Sequence, residues 1–366
     1  MKVAIIDDYL RWGGAVQVVS ALHELFPKAP IYTIFSEAEK DPLLKEKFKG
    51  AKIIESWFAR LPAPFTLISP LRFIIPLIWG SFNLKDYDLV ISSASWAITK
   101  GFAQGKTKEI CYCHTPPRYL YGYETSRNWQ KHWYIRLYAA IVNHFMRLYD
   151  YKQAQKVTCF VANSQEVANR IKKFYRRESV IINPPVDIPK VSEASKVSKA
   201  SEKEYFLTGG RLEMPKNFDL IIQAFNKLKL PLKVYGTGFQ EEYLKSIAGP
   251  NIEFVGVVTN EERSRLMAGA KAFIVAATDE DFGITPVEAM ANGCPVIAYR
   301  GGGYLETVVE GKTGEFFDEP TPEALAKVLK SFNHKKYKLE NCRSQAQKFS
   351  KERFKKEILE FIKDLQ

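Results

Sequence analysis

The sequence predicts an α/β protein of two domains, each built on a parallel β-sheet with helices on both faces. The length of 366 residues suits two domains of ordinary size. Short apolar runs alternate with amphipathic segments along the chain, which is typical of strand–helix–strand units. The stiff Pro184-Pro185 pair then separates two such patterns. With 46% hydrophobic and 26% charged residues, the composition excludes disordered, collagen-like and coiled-coil proteins.

The apolar runs place the elements in order. The first domain, residues 1–187, has four predicted strands: Val3–Asp7, Leu89–Ser92, Ile110–Cys113 and Cys159–Ala162. Residues 188–203 are predicted to be a linker, because they are rich in Ser, Lys, Ala and Glu. The second domain, residues 204–344, has five predicted strands and a helix from Phe218 to Leu228; the strands are Tyr205–Thr208, Leu232–Tyr235, Ile252–Val255, Ala272–Ala276 and Pro295–Ala298. Residues 345–366 predict a C-terminal helix that packs back toward the first domain.

The formal charge of +12 is concentrated in the first half of the chain. Residues 1–187 carry 26 Lys and Arg against 16 Asp and Glu, which leaves only +2 for the remainder. A basic half indicates an anionic partner such as nucleic acid, acidic lipid or a phosphate-bearing substrate. A solubilising surface without a dedicated partner accounts for the charge equally well.

Cysteine usage and the apolar regions favour a cytoplasmic protein. Five scattered cysteines argue against a disulfide framework, and no His cluster accompanies them at zinc-ligand spacing. No secretory signal is predicted, because Asp7 and Asp8 interrupt the first apolar run. The apolar region from Trp57 to Leu84 contains four prolines, so it does not predict a membrane-spanning helix.

The segment that begins at Glu280 carries the most specific pattern in the sequence. It follows an apolar run, contains a glycine at Gly283, and predicts a helix that begins near Pro286 and includes Glu288. Unpaired N–H groups at the start of a helix favour a phosphate. Carboxylates accept hydrogen bonds from hydroxyls. A ligand with phosphates and many hydroxyls is a sugar nucleotide.

Two cations follow the first strand of the second domain. Arg211 comes directly after the Gly209-Gly210 turn, and Lys216 lies five residues further on. Alone, such residues would be read as surface charges. At a glycine turn beside the carboxyl ends of parallel strands, a guanidinium and an ammonium can hold a diphosphate. They would also stabilise the negative charge that develops when a diphosphate departs.

The first domain contributes a glycine pair and a histidine. Gly13 and Gly14 follow the first strand and precede a predicted helix. A glycine pair in such a turn often has only a steric purpose. His114 comes directly after a predicted strand and before Pro116-Pro117. A lone histidine is usually a structural group, but the carboxyl end of a strand is where ligands bind in this architecture.

These motifs resemble the retaining glycosyltransferases of family 4, which have the GT-B fold of two Rossmann-like domains facing a central cleft. Glu280 and Glu288 match the family's pair of glutamates eight residues apart. Arg211 and Lys216 match its Gly-Arg…Lys element, and His114 matches its His-x-Pro element. The resemblance covers most of the chain and is strongest from residue 205 to residue 314.

The resemblance implies a role for each residue. Glu280 would bind donor-sugar hydroxyls and act in catalysis with His114, and Glu288 would bind the ribose. Contacts to the donor diphosphate are expected from Arg211, Lys216, Gly13, Gly14, Ile284 and Thr285, and further contacts to the sugar from Asp281, Phe282 and Gly283. The chain departs from the family at position 217, where Asn217 stands in place of a frequent Gly, and at Val16 and Gln17, near which the family commonly has Glu.

The motifs are most similar to those of mannosyltransferases of surface-polysaccharide assembly. This similarity implies GDP-mannose as the donor and a glycan or a polyprenyl-diphosphate-linked oligosaccharide as the acceptor. A UDP-sugar donor such as UDP-glucose or UDP-GlcNAc stays open, because such enzymes share most of the motifs. No cofactor is expected. Metal independence is predicted, because Asp86-Tyr87-Asp88 has a metal-binding spacing but precedes a strand.

A lipid-linked acceptor would bring the basic first domain to the anionic inner face of the cytoplasmic membrane. The candidates for interfacial contact are Trp57, Phe58, Phe65, Arg72, Phe73 and Trp79. Alternatively, residues 74–84 pack as a core helix. A nucleotide-sugar-binding protein without catalysis is the alternative of a different class. A nucleic-acid partner is not expected, because no binding-module signature is present.

Overall fold

The computed structural model describes residues 1–11, 13–126, 132–189 and 203–365. These residues form two compact units. The described part of the first unit comprises residues 1–11, 13–123, 132–185 and 352–365, and that of the second comprises residues 124–126, 186–189 and 203–351. Each is an α/β unit with one parallel sheet, so the predicted fold class is confirmed.

The first unit contains a seven-stranded parallel sheet in the order β3-β2-β1-β4-β5-β6-β7. Its strands are β1 (Val3–Asp7), β2 (Ile31–Thr33), β3 (Ile53–Glu55), β4 (Leu89–Ala94), β5 (Lys108–Cys113), β6 (Cys159–Ala162) and β7 (Ser179–Ile181). Its helices up to residue 175 are α1 (Gly14–Leu25), α2 (Pro42–Lys47), α3 (Pro64–Leu67), α4 (Ile75–Gly80), α5 (Arg118–Tyr121), α6 (Trp133–Lys156) and α7 (Gln165–Tyr175). Two 3₁₀ turns, Trp57–Arg60 and Arg72–Ile74, lie between β3 and α4.

The second unit contains a six-stranded parallel sheet in the order β10-β9-β8-β11-β12-β13. Its strands are β8 (Tyr205–Gly209), β9 (Leu232–Tyr235), β10 (Ile252–Gly256), β11 (Ala270–Val275), β12 (Val296–Tyr299) and β13 (Gly314–Phe317). Its helices are α8 (Phe218–Leu228), α9 (Glu241–Ile247), α10 (Asn260–Gly269), α11 (Ile284–Ala291), α12 (Tyr304–Thr307), α13 (Pro322–Ser331) and α14 (Leu339–Gln347), with 3₁₀ turns at Met214–Lys216 and His334–Lys336.

The central strands are covered on both faces, as expected for a parallel sheet. In β1, Ile5 packs in one apolar core, and its neighbours Ala4 and Ile6 pack in another on the opposite face. All five residues of β1 are buried. Near-continuous apolar runs of this kind made the central strands recognisable in the sequence.

Helix α7 shows how local sequence sets helix ends. Ser164 Oγ accepts a hydrogen bond from Val167 N at 3.1 Å, which caps the helix start. Ile171 and Tyr175 lie on its buried face, and the helix ends at Arg176 in the left-handed conformation. This is an amphipathic surface helix with an apolar inner face and a polar outer one.

The chain ends in α15 (Lys351–Asp364), which packs in the first unit. The helix predicted over residues 345–366 begins only at Lys351, because the helical path is broken between α14 and α15. Val186 N donates to Phe349 O at 2.9 Å, and Val186 forms an isolated bridge with Ser350. The buried residues of α15 in the first unit's core are Phe354, Ile358 and Ile362.

Candidate active site

Three neighbouring strands of the second unit bring the predicted donor-binding residues to one edge of its sheet. Strand β11 lies between β8 and β12. The loops after these strands therefore meet at the carboxyl edge, where ligands of open α/β sheets bind. Lys216 follows β8, Glu280 follows β11, and Tyr304 follows β12.

Glu280 connects these three loops. Lys216 Nζ donates to Glu280 Oε2 at 2.6 Å. Tyr304 Oη donates to the same oxygen at 3.1 Å. The Glu280 side chain is only 13% exposed, whereas that of Lys216 is 39% exposed, so the cation stays accessible to a ligand. The arrangement places a positive charge and a carboxylate side by side, which suits a ligand with both phosphates and hydroxyls.

Two glycines allow the β12 loop to approach Glu280. Gly303 N donates to Glu280 O at 2.9 Å. Gly302 has a φ of +54°, and a Cβ atom at this position would lie 2.4 Å from Glu280 O. A side chain at position 302 would therefore be strained and would displace the Glu280 backbone.

The helix predicted near Pro286 begins two residues earlier, as α11 at Ile284. Gly283 is its cap residue with a φ of +87°, which only glycine adopts without strain. The amide groups of Ile284 and Thr285 thus form the first turn and suit the phosphate contacts predicted for them. Phe282 is buried against Phe349 with ring centroids 5.3 Å apart, so its side chain has a structural role and only its backbone can contact a sugar.

The other charged residues predicted for the site, Glu288 and Arg211, form ion pairs with different residues. Glu288 Oε1 is 3.1 Å from Arg263 NH2, and the glutamate side chain is 15% exposed. Arg211 is 69% exposed and lies 3.6 Å from Glu213. Glu213 also accepts a hydrogen bond from Ser126 Oγ at 2.9 Å. The structure brings Lys216 to Glu280, while Arg211 belongs to a second, more exposed ion pair. Asp281 is half-buried in the loop before α11.

Asn217 stands where the family resemblance implies a frequent glycine, and its backbone adopts a glycine-like conformation. Its φ is +51°, in the left-handed region that favours Gly and, next, Asn. Its side-chain amide donates to Ala276 O at 3.0 Å and so ties the β8 loop to the β11 loop. The substitution keeps the backbone conformation and adds a hydrogen bond beside Lys216.

In the first unit, His114 lies at the carboxyl edge of the sheet. His114 Nε2 and Ser93 Oγ are 2.9 Å apart, and the imidazole packs edge-on against Tyr112. Asn163 Nδ2 donates to His114 O at 2.9 Å, which fixes the backbone. Ser93 also hydrogen-bonds the Asp7 carboxyl, because β1 and β4 pair in register at these two residues.

Asp7 and Asp8 have contrasting surroundings. Burial raises the pKa of Asp7 well above its ordinary value, and the neighbouring Asp8 charge raises it further. Asp8 Oδ2 instead accepts hydrogen bonds from Ser95 Oγ at 2.6 Å and Ala97 N at 3.1 Å. Asp8 thus anchors the loop after β4, and Asp7 favours its neutral form next to Ser93.

Gly13 and Gly14 lie at the start of α1, as the sequence predicted for a turn after the first strand. Gly13 is in an extended conformation and precedes the helix, and Gly14 is its first residue. Residue 12 lies outside the described residues. A backbone with no Cβ at two successive positions suits close approach of a ligand, which is the predicted role.

Several site residues escaped the sequence analysis. Tyr304 lies within residues 205–314, where the resemblance is strongest, but the motifs gave it no role. Arg263 had no local signal because its partner Glu288 lies on another helix. Ser93 and Asp7 were also missed as neighbours of His114. Two consecutive acids that close an apolar strand were the available signal for Asp7, since a buried carboxyl needs partners.

No group of three or more His, Cys, Asp or Glu side chains in residues 1–11, 13–126, 132–189 and 203–365 has the arrangement of a metal site. None of the helices in these same ranges combines the length and the apolar character that membrane spanning requires.

Comparison with known proteins identifies the family of the chain. Residues 12–190 match the model of "Glycosyltransferase Family 4", and residues 190–349 match "Glycosyl transferases group 1". The mannosyltransferase alg2 of Schizosaccharomyces pombe, named for α-1,3/1,6 transfer, is 24% identical over 86% of this chain and 70% of its own length. Sulfoquinovosyl transferase SQD2 of Arabidopsis thaliana is 23% identical over 89% of this chain and 62% of its own length.

The crystal structure of Anabaena HepE in complex with UDP and glucose has the same fold. Its TM-score is 0.71 at 18% identity, with 99% of both chains covered. The two sheets and this similarity define a GT-B protein. Together with the two family matches, they show that the chain belongs to the glycosyltransferases of family 4 and is related to mannosyltransferases.

Gly302→Ala is expected to destabilise the second unit more than Gly311→Ala does. Both glycines have positive φ, +54° and +70°, but a Cβ atom at Gly311 meets nothing within 4 Å. The control Gly311→Ala should lower the free energy of unfolding by about 1–2 kcal/mol, because only the left-handed backbone disfavours alanine there. Gly302→Ala should add about 1–3 kcal/mol from its clash with Glu280. Urea unfolding measures both, and equal losses would contradict the close packing of the two loops.

Asp7→Asn is expected to flatten the pH dependence of stability. Because the pKa of Asp7 is raised in the folded state, its stabilising contribution is complete below the unfolded carboxyl pKa and is lost as pH rises through the folded pKa. The wild-type free energy of unfolding should therefore fall with rising pH relative to that of Asp7→Asn. Urea unfolding across a pH series tests this, with the exposed Asp86→Asn as control. An unchanged slope in Asp7→Asn would contradict it.

Proposed function

We propose that this glycosyltransferase moves mannose from GDP-mannose to a glycan or a polyprenyl-diphosphate-linked acceptor, with retention of anomeric configuration and without a metal ion. The cluster of Lys216, Glu280 and Tyr304 carries this proposal, because it joins a cation, a carboxylate and a hydroxyl at one sheet edge. The similarity to alg2 supports mannose as the sugar. A lipid-linked acceptor would place the reaction at the inner face of the cytoplasmic membrane.

The proposed roles follow from charge and position. Lys216 and Arg211 bind the donor diphosphate, assisted by the first amides of α11 and by the Gly13-Gly14 backbone. Glu288 binds the ribose. Glu280 binds hydroxyls of the sugar together with Asp281 and the backbone of Phe282 and Gly283. A carboxylate can accept hydrogen bonds from two adjacent hydroxyls, which favours a sugar over an uncharged apolar ligand.

The proposed reaction needs no enzymic nucleophile. The bond between the anomeric carbon and the diphosphate breaks, and the diphosphate leaves with the electron pair. The acceptor hydroxyl attacks the same face, and a phosphate oxygen takes its proton. Lys216 and Arg211 stabilise the charge that develops on the leaving group. His114, which lies next to Ser93, orients the sugar.

A UDP-sugar is the second candidate donor, because HepE was crystallised with UDP and glucose. The turns after β9 and β10 would distinguish the uracil base of a UDP-sugar from the guanine base of GDP-mannose. Gly236 N donates to Gly256 O at 2.7 Å, so these two turns lie side by side. The turn after β9 also packs closely against the Arg211 loop, because a Cβ atom at Gly236 would lie only 1.9 Å from Gly210 O.

A thermal-shift panel of GDP, UDP, ADP and their sugars tests the donor. We expect GDP and GDP-mannose to raise the melting temperature by about a few degrees at saturation, with or without EDTA, because only the folded protein binds them. UDP and ADP should have a smaller effect. A shift with UDP but not GDP would overturn the mannose assignment, and loss of the shift in EDTA would overturn metal independence.

His114→Ala separates donor binding from transfer. The variant should keep the thermal shift with GDP, because the imidazole is assigned to the sugar and not to the nucleotide. It should lose most mannosyl transfer, measured as release of GDP in the presence of acceptor. His334→Ala, which changes a histidine on a 3₁₀ turn of the second unit, is the matched control and should keep both. Full transfer by His114→Ala would contradict the assigned role.

A further inference from the structure

Helix α6 combines polar side chains on its buried face with apolar side chains on its outward face. The buried face contains Asn143, Asp150 and Gln153 beside the apolar Ala139, Met146 and Ala154. Its outward face contains an apolar stripe, which we define as Trp133, Leu137, Ile141, Phe145 and Leu148. These side chains are 68, 56, 54, 64 and 50% exposed. Their spacing of three or four residues keeps them on one side of the helix.

The buried polar residues of α6 are matched, so the orientation of the helix is fixed. Arg72 Nε donates to Asn143 Oδ1 at 2.8 Å. Lys100 Nζ donates to Asp150 Oδ1 at 2.5 Å in a fully buried ion pair. Removing one partner of such a pair leaves an uncompensated buried charge. Helix α6 therefore cannot rotate to bury the apolar stripe without breaking both contacts.

The neighbouring segment extends the apolar surface. Phe73 is 51% exposed and Leu77 is 67% exposed. Both follow Arg72 in the chain, and Tyr138 of α6 donates a hydrogen bond to Pro70 O in the same segment. Of the interfacial residues predicted from the sequence, Trp57 and Phe73 are exposed, whereas Phe58, Arg72 and Trp79 are buried. The sequence analysis named no residue of α6 among these candidates.

The charges on α6 indicate what covers the stripe. All charged side chains exposed on this helix are cationic: Arg136, Arg147, Lys152 and Lys156. The acidic Asp150 is buried against Lys100. A second copy of the chain packed through α6 would bring cations against cations. An anionic lipid surface instead complements them, because exposed Trp, Phe and Leu side chains accompanied by Lys and Arg are typical of helices that lie in a membrane interface.

Helix α6 is also attached to the segment that carries His114. Asn143 Nδ2 donates to Tyr119 O and Arg147 NH1 donates to Leu120 O, both at 3.2 Å. These carbonyls belong to α5, which begins four residues after His114. A surface bound through α6 would therefore have a fixed position relative to His114.

We propose that the apolar stripe of α6, with Phe73 and Leu77, docks on an anionic phospholipid membrane. The helix lies in the interface with its apolar side chains among the acyl chains and its cations at the headgroups. This inference rests on the proposed use of a lipid-linked acceptor, but the docking itself needs no donor and can be tested without one.

Vesicle flotation tests the proposal. The full chain should float with vesicles of phosphatidylglycerol and phosphatidylcholine at low salt, and less at high salt, since screening weakens the attraction of the cations. Leu137→Ser/Ile141→Ser/Phe145→Ser should weaken binding at least about tenfold, because three apolar side chains no longer enter the bilayer. Leu43→Ser/Val180→Ser/Leu359→Ser removes three exposed apolar side chains elsewhere in the same unit and should bind like the wild type.

Two further measurements keep the outcomes distinct. The thermal shift with GDP shows that each variant is folded and binds nucleotide, so a wrong donor assignment cannot be mistaken for a failure of docking. Sedimentation without lipid reports the oligomeric state. Absence of flotation at low salt, or equal flotation by the α6 variant, would overturn the proposal. So would a stable dimer that the α6 variant abolishes, because a second copy would then be the occupant of the stripe.

Discussion

The ion pair between Lys216 and Glu280 is the interaction on which the proposed donor site depends. It joins the loops after β8 and β11, and Tyr304 adds the loop after β12 through the same carboxylate oxygen. Because Glu280 is nearly buried and Lys216 is partly exposed, the ammonium can move to an incoming diphosphate while the carboxylate stays in place. In our account, donor binding exchanges one anionic partner of Lys216 for another and makes Glu280 oxygens available to sugar hydroxyls.

Sheet topology makes this arrangement possible from residues far apart in the chain. In both units, the relevant side chains lie at or just after the carboxyl ends of adjacent parallel strands: β8, β11 and β12 in the second unit, and β1, β4 and β5 in the first. Glycines at 302 and 303 and the left-handed Asn217 then bring the backbones close. The fold thus supplies the edge, and a few conformationally special residues supply the short distances.

Much of this arrangement could be predicted from the sequence. The long apolar runs gave the central strands, and α8 was predicted over its full extent. The short strands β2, β3 and β7 were missed because three residues are too few to show a pattern, and the edge strand β13 was missed as well. The sequence suggested that Lys216 and Arg211 act together on a diphosphate. The ion pair of Lys216 with Glu280 was not predictable, since it depends on which strands are neighbours in the sheet. The polar inner face of α6 was equally hidden, because its partners Arg72 and Lys100 are distant in sequence.

Calorimetric titration of GDP and GDP-mannose into the wild type, Lys216→Gln, Glu280→Gln and the double variant tests the partner exchange most directly, with Lys227→Gln as the control for loss of a surface cation. For GDP, we predict that Lys216→Gln weakens binding at least about tenfold, since a charge-assisted hydrogen bond contributes about 1.5–3 kcal/mol. Glu280→Gln should not weaken it, because the competing carboxylate is gone. For GDP-mannose, both variants should lose affinity. Equal weakening of GDP binding by the two variants, or no effect of Lys216→Gln, would contradict the account.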